Sequence, residues 1–531
     1  MSHQSQAPAP DATLRRIALP VGAVLAAGLV LGIAGDILLR GRGGPGLNFF
    51  LLLAGLGVAV WMLSRRTGLT LSRESLVLLG VGIAFGATLV LRASGPLRAM
   101  AFLAAAVAFA LPALKAGTAW LRRSGVSEQI VAMVLAGANG VAGAFRLIGV
   151  ALAGKPAGSI QPSDAARRPA GAVLRGLLLG IPFLFLFGAL FMSADRIFSD
   201  LVTNFVRFDL EEIASHLLVT AVLTWLACGY LSGFLSGTRP AFIPERLPSR
   251  PRVGIIEIGI ALGLVNILFL LFVTVQFRYL FGGAGLVEVT PGLTYAEYVR
   301  EGFEQLAMAC ALVLPSLLAA DWLLHVRGRR DGLVFRVLAG LLLLLLLVII
   351  ASAFQRVRAY QAAYGLTDSR FYGAAFLGWI TLLTVWFAGT VLRGRRERFA
   401  FPALVSGFGF VALLLAVNPD VRIARTNLAR AGNIALVTGE ATHGVDARYL
   451  ASLSADAVPV LLEALPGLPA EPRCVLARGL LKQWGEVTEG EGRPDWRSWN
   501  WPEARARERV GRESEALRAM VAAVEGDGCP A

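Results

Sequence analysis

The side chains of this sequence that could do chemistry within a membrane are a few polar and ionisable residues set in long apolar runs. An ionisable group in hydrocarbon is costly, so each is a candidate for binding or proton transfer. The alternative is a structural hydrogen bond between helices. The candidate intramembrane residues are His216, Glu257, Asn266, Gln276, Glu304 and Asp321. All but His216 fall within 253–324, which is therefore the predicted functional region of the membrane part.

The common catalytic and metal-binding motifs are absent from the sequence. Its 4 histidines form no metal-spaced cluster and no HExxH motif. There is also no P-loop for a nucleotide and no GxSxG nucleophile turn. The sequence therefore predicts no catalytic residue, metal ligand or cofactor, and it favours a protein that is not an enzyme.

The composition requires lipid as the solvent for much of the chain. Of 531 residues, 56% are hydrophobic and only 16% are charged, whereas soluble domains carry about 25% charged residues. The apolar runs are continuous and about twenty residues long, which selects helices over a β-barrel. We expect an all-α, polytopic transmembrane helix bundle of about eleven spans, followed by a small α-helical C-terminal domain outside the cytoplasm.

The apolar runs and the loops between them divide the chain into five regions. The predicted spans are 17–39, 47–63, 75–92, 97–120, 172–196, 212–236, 253–280, 298–324, 332–354, 371–393 and 400–417. The regions are a cytoplasmic N-terminal tail (1–16), a four-span block (17–120), a cytoplasmic interfacial helix and linker (121–171), a seven-span core (172–417) and an extracytoplasmic helical tail domain (418–531). Two alternatives remain. The first run could be a signal peptide, and 126–153 could cross the membrane, which would give twelve spans and invert every later side.

The formal net charge of +14 comes almost entirely from arginine, and the arginines lie in short loops. This pattern is typical of membrane orientation and does not predict nucleic-acid binding. With eleven spans, the loops on one face hold more arginines than the opposite loops: Arg65, Arg66, Arg73, Arg122, Arg123, Arg167, Arg168, Arg239, Arg246, Arg250, Arg252, Arg327, Arg329, Arg330, Arg393, Arg395, Arg396 and Arg398. We expect a multi-pass protein of a bacterial cytoplasmic membrane, with the N-terminus in the cytoplasm and the C-terminus outside.

The region after 418 carries two local signals of a folded domain outside the cytoplasm. Asn500 followed by Glu503 predicts a helix start, because the Asn500 side chain can accept a hydrogen bond from an unpaired backbone N–H group. Cys474 and Cys529 could form a disulfide in an oxidising compartment, unless Cys529 is frayed at the chain end.

Several passages are more distinctive than ordinary membrane sequence. They are YLFGG at 279–283, LTYAEYVREGF at 293–303, YGLTDSRFY at 364–372, NPD at 418–420, IARTN at 423–427, YLASLSADAVP at 449–459 and WRSWN at 496–500. Together they resemble the bacterial polytopic membrane proteins of the domain-of-unknown-function family 4153/4173, well over 250–531 and upstream only in hydrophobic layout. Family sequences often have Tyr-Ala-Arg where this chain has Tyr298, Val299 and Arg300. The resemblance implies a multi-pass protein and transfers no active site.

The placement of these passages predicts a shared outer surface, because each lies in a loop or tail assigned to the outside. The candidate vestibule residues are Tyr295, Glu297, Tyr298, Arg300, Tyr364, Thr367, Arg370, Asn418, Asp420, Arg425 and Asn427. The alternative is that these residues only dock the tail onto the bundle.

The leading functional hypothesis is an extracytoplasmic-facing interaction or sensing module that binds an unknown protein or small molecule outside, with the lipid bilayer as its other partner. The alternatives are a secondary transporter or lipid-substrate permease, and an intramembrane transferase acting on a lipid-linked substrate with Glu297 or Asp420 as base. A polar cavity at Asn266 and Glu304 would favour transport, whereas a filled bundle with a docked tail would favour the interaction module.

Overall fold

The part of the chain that the structure describes is mostly helical. The computed structural model describes residues 20–40, 43–114, 120–153, 210–237, 253–281, 303–325, 328–438, 445–485 and 495–523. Within these ranges there is no β-strand, only one isolated bridge between Val253 and Leu324. This confirms the predicted all-α class.

Eleven helices among the described residues are long and apolar enough to cross a bilayer, which confirms the predicted polytopic bundle. They are α1 (Val21–Leu39), α2 (Leu47–Thr67), α3 (Arg73–Leu91), α4 (Gly95–Ala110), α5 (Val126–Ala153), α6 (Leu210–Ser236), α7 (Ile255–Phe281), α8 (Phe303–Leu323), α9 (Arg329–Tyr364), α10 (Asp368–Thr390) and α11 (Ala400–Val417). Unpaired backbone groups have no water partner in hydrocarbon, so each apolar run satisfies its own backbone by forming a helix.

One of these eleven helices, α5, was not among the predicted spans. Val126–Ile148 of α5, predicted to lie in the interface, has a mean hydropathy of 1.6 over its most apolar window and the length of a span. The predicted span at 172–196 lies outside the described residues. The polar residues that suggested an interfacial helix include Gln129 and Asn139, and both are buried against protein. A spanning helix can carry such residues when they face neighbouring helices.

The described residues divide into two compact units. In the first unit, within Met1–Arg40, Gly55–Thr70 and Ala136–Pro240, α1 packs closely along α6. A Cβ atom at Gly28 would lie 2.2 Å from Cys228 Sγ, and one at Gly32 would lie 2.0 Å from Thr224 Oγ1. Small residues at these positions allow the helices to pack closely, and packing contacts of this kind drive helix association where lipid removes the hydrophobic driving force.

The second unit comprises Gly41–Ala54, Leu71–Leu135 and Ala241–Ala531. Its main apolar core joins α7, α8, α9 and α10, with Leu317, Leu346, Leu377 and Phe387 fully buried. A second core joins α3, α4 and α11 around Leu89, Leu97 and Leu414. These cores hold the ends of the helices in fixed positions, and those ends build the candidate site.

The tail domain continues the second unit after α11. Its helices are α12 (Pro419–Thr438), α13 (Ala447–Ser452), α14 (Val458–Ala464), α15 (Ala470–Trp484), α16 (Trp501–Arg512) and α17 (Ser514–Ala522). They surround an apolar core that includes Leu461, Leu476, Leu480 and Val510, and Ile423 of α12 joins this core. Asn500 caps α16 as predicted, since its side chain accepts a hydrogen bond from the Glu503 N–H group.

The helix ends of the second unit gather on two faces. On one, here called the basic face, the Leu121 N–H group donates to Glu74 at 2.9 Å, and residues 121–123 pack against 396–398. Arg396 and Asp321 approach to 3.8 Å. The backbone of Val253 pairs with the chain at 323–325. The other, here called the tail face, carries the α3–α4 and α9–α10 connections and the end of α11. Arginines near the basic face are Arg73, Arg122, Arg123, Arg329, Arg330, Arg393, Arg395, Arg396 and Arg398.

Candidate functional site

The best-defined polar site is the junction between the tail domain and the tail face. Its first part is the turn after α11. Asn418 takes a left-handed backbone conformation with φ of 53°, and its N–H group donates to the Leu414 carbonyl. Asparagine tolerates this conformation better than most residues. The turn ends the last span and starts α12 at once, which places Asp420 in the first turn of α12 beside the ends of the membrane helices.

Asp420 links three segments of the chain through its two carboxylate oxygens. Oδ2 accepts from the Ser454 N–H group at 3.2 Å, and Oδ1 accepts from Ser94 Oγ at 3.3 Å. Ser94 Oγ also lies 3.2 Å from the hydroxyl of Tyr372. Asp420 is 4% exposed, so these hydrogen bonds replace the water that its carboxylate loses.

Asp456 is the second buried carboxylate and the centre of the junction. Its Oδ2 accepts from the N–H groups of Ala93 at 2.7 Å and Ser94 at 3.3 Å, at the start of α4. Its Oδ1 accepts from Asn418 Nδ2 at 3.1 Å, and Arg92 Nη1 lies 3.8 Å away. A tail residue thus satisfies backbone groups that a helix start leaves unpaired, and a carboxylate there is also favoured by the helix dipole.

A third connection joins α12 to the turn between α9 and α10. Asn427 Oδ1 accepts from the Leu366 N–H group at 2.7 Å, and Asn427 Nδ2 donates to the Leu366 carbonyl at 2.9 Å. Gly365 has φ of 87°, and a Cβ atom there would lie 2.7 Å from Asn427 Oδ1. Nearby, the Asp368 N–H group donates to the Tyr449 hydroxyl at 2.9 Å. Glycine at 365 therefore fits both the conformation and the close approach.

A fourth connection involves the tryptophan-rich segment before α16. The Leu47 N–H group donates to the Trp499 carbonyl at 3.1 Å. Asn500 Nδ2 donates to the carbonyls of Leu89 at 2.9 Å and Arg92 at 2.8 Å, and Arg98 forms an ion pair with Glu503. The tail domain therefore contacts the starts of α2, α4 and α10 and the end of α3 through hydrogen bonds.

Burial changes the acidity of two groups of the junction that lie outside the membrane-spanning segments. Burial raises the pKa of Asp420, the negative charge of Asp456 adds to this, and the hydrogen bonds from Ser454 oppose it. Burial also raises the pKa of the Tyr449 hydroxyl, and the charge of Asp368 acts in the same direction. Tyr449 is therefore a neutral hydrogen-bonding group at physiological pH.

The structure brings together only part of the predicted vestibule. Asn418, Asp420 and Asn427 meet in the junction, whereas Arg425 is exposed on α12 and Arg370 donates to its own neighbour Thr367 at 3.2 Å. The side chain of Tyr364 is not described, and Tyr295, Glu297, Tyr298 and Arg300 lie outside the described residues. Asp456, Ser94 and Tyr372 were not predicted. Asp456 and Tyr372 lie in passages that carry the family resemblance, and this resemblance was the signal by which the sequence could have identified them.

The candidate intramembrane residues make separate contacts. Asn266 Nδ2 donates to the carbonyls of Leu262 at 2.8 Å and Leu338 at 3.0 Å, which ties α7 to α9. Asp321 pairs with Arg396 on the basic face. In the first unit, His216 Nδ1 contacts the buried Asp36, which also pairs with Arg40 at 2.6 Å. Glu257 is exposed, and the side chains of Gln276 and Glu304 are not described.

A cavity of about 410 Å³ lies among α7, α8 and α9, close to the predicted functional region. Its walls are mostly apolar, with Gln305 and Arg356 as polar members, and Asn266 does not line it. Arg356 lies in an apolar helix and was missed in the sequence. Within the described residues, no group of three or more histidine, cysteine or acidic side chains could hold a metal ion.

The cysteines differ between the membrane helices and the tail domain. Cys228 and Cys310 are buried free thiols. Cys474, on α15, is disulfide-bonded. Its predicted partner Cys529 lies outside the described residues, so the pairing itself stays a prediction.

The fold and the junction define a class, a polytopic α-helical membrane protein with a helical tail domain docked on one face of its bundle. Residues 75–464 match the family described as domain of unknown function (DUF4153), and the chain belongs to this family. This confirms the resemblance, and the matched range contains the docking residues from Arg92 to Asp456. No curated protein and no solved structure matches the chain.

Proposed function

We propose that this protein is an extracytoplasmic-facing membrane module for interaction or sensing, whose tail domain is the binding or output surface. The observation that carries the proposal is the docking of a folded domain on one face of the bundle through buried carboxylates, Asp420 and Asp456, and through Asn427 and Asn500. A domain held at several helix ends can pass a binding event on its surface to the membrane helices.

The distribution of charge supports an outer location for the tail domain. Nine arginines of the described loops lie near the basic face, and an excess of arginine marks the cytoplasmic side of a membrane protein. The tail domain contacts the opposite helix ends, at 93–94 and 366–368. A disulfide at Cys474 agrees with an oxidising compartment.

The contacts of the basic face also bear on the alternative of twelve spans. Residues 121–123 and Val253 are joined on this face through the chain segments at 396–398 and 321–325. Two segments on the same side of a bilayer are connected by an even number of crossings, which supports an even number between residues 123 and 253. Three candidate spans lie in this interval, Val126–Ile148, 172–196 and Glu212–Ser236. Crossing by all three would place the two joined segments on opposite sides of the bilayer. The contacts therefore favour two crossings, and the tail domain then lies outside the cytoplasm, whichever two of the three segments cross.

Impermeant thiol labelling of intact cells tests the orientation. Ala516 is exposed on α17, and Gly328 is exposed at the basic face with open space around its Cβ position. We expect Ala516→Cys to react in intact cells and Gly328→Cys to react only after the membrane is permeabilised. The reverse pattern would place the tail domain in the cytoplasm and end the proposal.

Site-specific photocrosslinking tests the binding surface. A photoreactive residue at the exposed positions Lys482 or Glu515 should give discrete protein or small-molecule adducts in cells. The matched control is the lipid-facing Leu382 of α10, which is 56% exposed and should give only lipid adducts. A tail surface that gives no adduct beyond the control would contradict the interaction role.

A further inference from the structure

A long apolar groove runs along the second unit between α3 and α11. It has a volume of about 650 Å³, and residues 121–122 close one end. Its walls are apolar side chains from both helices, among them Val77, Val81, Phe85, Leu404, Phe408 and Ala412. Both helices are candidate spans, so lipid is the solvent at this surface, and the groove has the shape of an acyl-chain site.

The basic end of the groove differs in chemistry from the rest. Arg73, Glu74 and Arg122 line it there. The Glu74 carboxylate accepts from the Leu121 N–H group at 2.9 Å and lies 3.8 Å from Arg122 Nε. The Arg122 guanidinium also lies 5.7 Å from the centre of the Phe401 ring, and its side chain is 75% exposed. Two guanidinium groups against one carboxylate leave a net positive charge at this end.

The length of the groove suits a lipid tail. From Arg73 to Thr88, both of which line it, α3 rises about 22 Å at 1.5 Å per residue. The hydrocarbon core of a bilayer is about 30 Å thick. A chain entering beside the arginines would therefore follow the groove from the interface past the midplane.

Apolar walls alone cannot select a lipid, because bulk lipid tails are as apolar as the groove. Selection has to come from the charged end, where guanidinium groups bind phosphate oxygens well. Basic pockets between spanning helices on the cytoplasmic side are a recurring form of headgroup recognition. We propose that this groove binds an anionic phospholipid, with one acyl chain between α3 and α11 and its phosphate held by Arg73 and Arg122. This site is separate from the tail junction and does not rest on the proposed function.

Native mass spectrometry of the purified full-length protein, titrated with phosphatidylglycerol or phosphatidylcholine, tests the headgroup site. We expect tighter binding of phosphatidylglycerol. Each of Arg73→Gln and Arg122→Gln should weaken it about 5-fold and the double variant about 30-fold, because a basic residue near a membrane surface contributes about a factor of five. The control Arg329→Gln removes a basic-face arginine that does not line the groove. Equal binding of both lipids, or equal loss in the control, would overturn the proposal.

A glycine pair tests the groove itself. Gly409 lines it and Gly80 on α3 does not, and a Cβ atom at either would meet nothing within 4 Å. Gly409→Phe should fill the groove and reduce phosphatidylglycerol binding at least 5-fold, whereas Gly80→Phe should leave it unchanged, with both variants keeping their melting temperature. Unchanged binding in Gly409→Phe would show that the lipid lies elsewhere. A crosslinked second copy covering the groove would also overturn the assignment.

Discussion

At the residue scale, Asp456 is where the contacts between the tail domain and the membrane helices converge. One buried carboxylate accepts from two backbone N–H groups at 93–94 and from the Asn418 side chain, and Arg92 lies nearby. A carboxylate buried without these donors would be strongly destabilising. Removal of Asp456 would also be destabilising, because the N–H groups of Ala93 and Ser94 would lose their acceptor.

Replacing Asp456 with alanine should loosen the tail domain. Breaking a buried charged network by removing one partner costs about 3–5 kcal/mol, and the loss should appear as faster proteolysis and faster hydrogen exchange in α13 and α14. The control Glu463→Ala removes a 69%-exposed carboxylate that pairs with Arg509. A surface pair is worth at most about 1 kcal/mol, so similar effects in the two variants would count against the docking role of Asp456.

The raised pKa of Asp420 gives the junction a pH dependence with a defined sign. Because burial favours the protonated form, the folded junction binds a proton at a higher pH than the unfolded chain, whose Asp titrates near 3.9. Docking should therefore become more stable as pH falls through the raised pKa, and this gain is lost as pH rises through it. We expect hydrogen-exchange protection of α12 and α13 in the wild type to increase as pH falls through this range. In Asp420→Asn, the protection should depend less on pH. An unchanged slope in Asp420→Asn would assign the dependence to other groups.

At the element scale, small residues decide how closely the helices of the first unit approach. A Cβ atom at Gly229 of α6 would lie 2.1 Å from the Gly140 carbonyl oxygen of α5. Asn139 of α5 likewise lies against Gly233, and Arg146 donates to Ser236 at 3.0 Å. The backbone cannot give way as a flexible side chain would, so this contact requires glycine.

Gly229→Ala should therefore destabilise the first unit by about 1–3 kcal/mol or more, the range for overpacking. The matched control is Gly137→Ala on α5, where a Cβ atom would meet nothing within 4 Å. Alanine favours a helix by up to about 1 kcal/mol over glycine, so the control should be neutral or slightly stabilising. Thermal unfolding in detergent measures both, and equal melting temperatures for the two variants would refute the close contact between α5 and α6.

At the scale of the whole molecule, the two faces of the second unit have different roles. Nine arginines of the described loops lie near one set of helix ends, and the tail domain covers ends of the opposite set. Buried carboxylates and amides hold the tail domain against the tail face, where Asp420, Asp456 and Asn500 are each at most 8% exposed. The tail domain therefore forms part of the membrane protein's structure and is not a tethered appendage.

The redox state of the cysteines reports on the side of the tail domain. In protein alkylated before reduction, we expect Cys228 and Cys310 to be modified under denaturing conditions, and Cys474 and Cys529 to be modified only after reductant is added. Mass spectrometry measures the number of alkyl groups. Alkylation of Cys474 without reductant, in protein taken from its native membrane, would argue against an oxidising compartment.

The sequence alone determined ten of the eleven described candidate spans and the start of α16. An apolar run of about twenty residues satisfies its backbone in lipid only as a helix, and the Asn500 cap needs only a neighbour three residues away. The sequence did not reveal that Asp456 accepts from Ser94, 362 residues earlier, nor that residues 121–123 share a face with Val253. Those pairings depend on which helices pack together, and packing depends on where residues as different in size as Gly229 and Leu317 meet in three dimensions. Only the tertiary structure decided that Asn418, Asp420 and Asn427 of the predicted vestibule lie in a junction between the tail domain and the membrane helices.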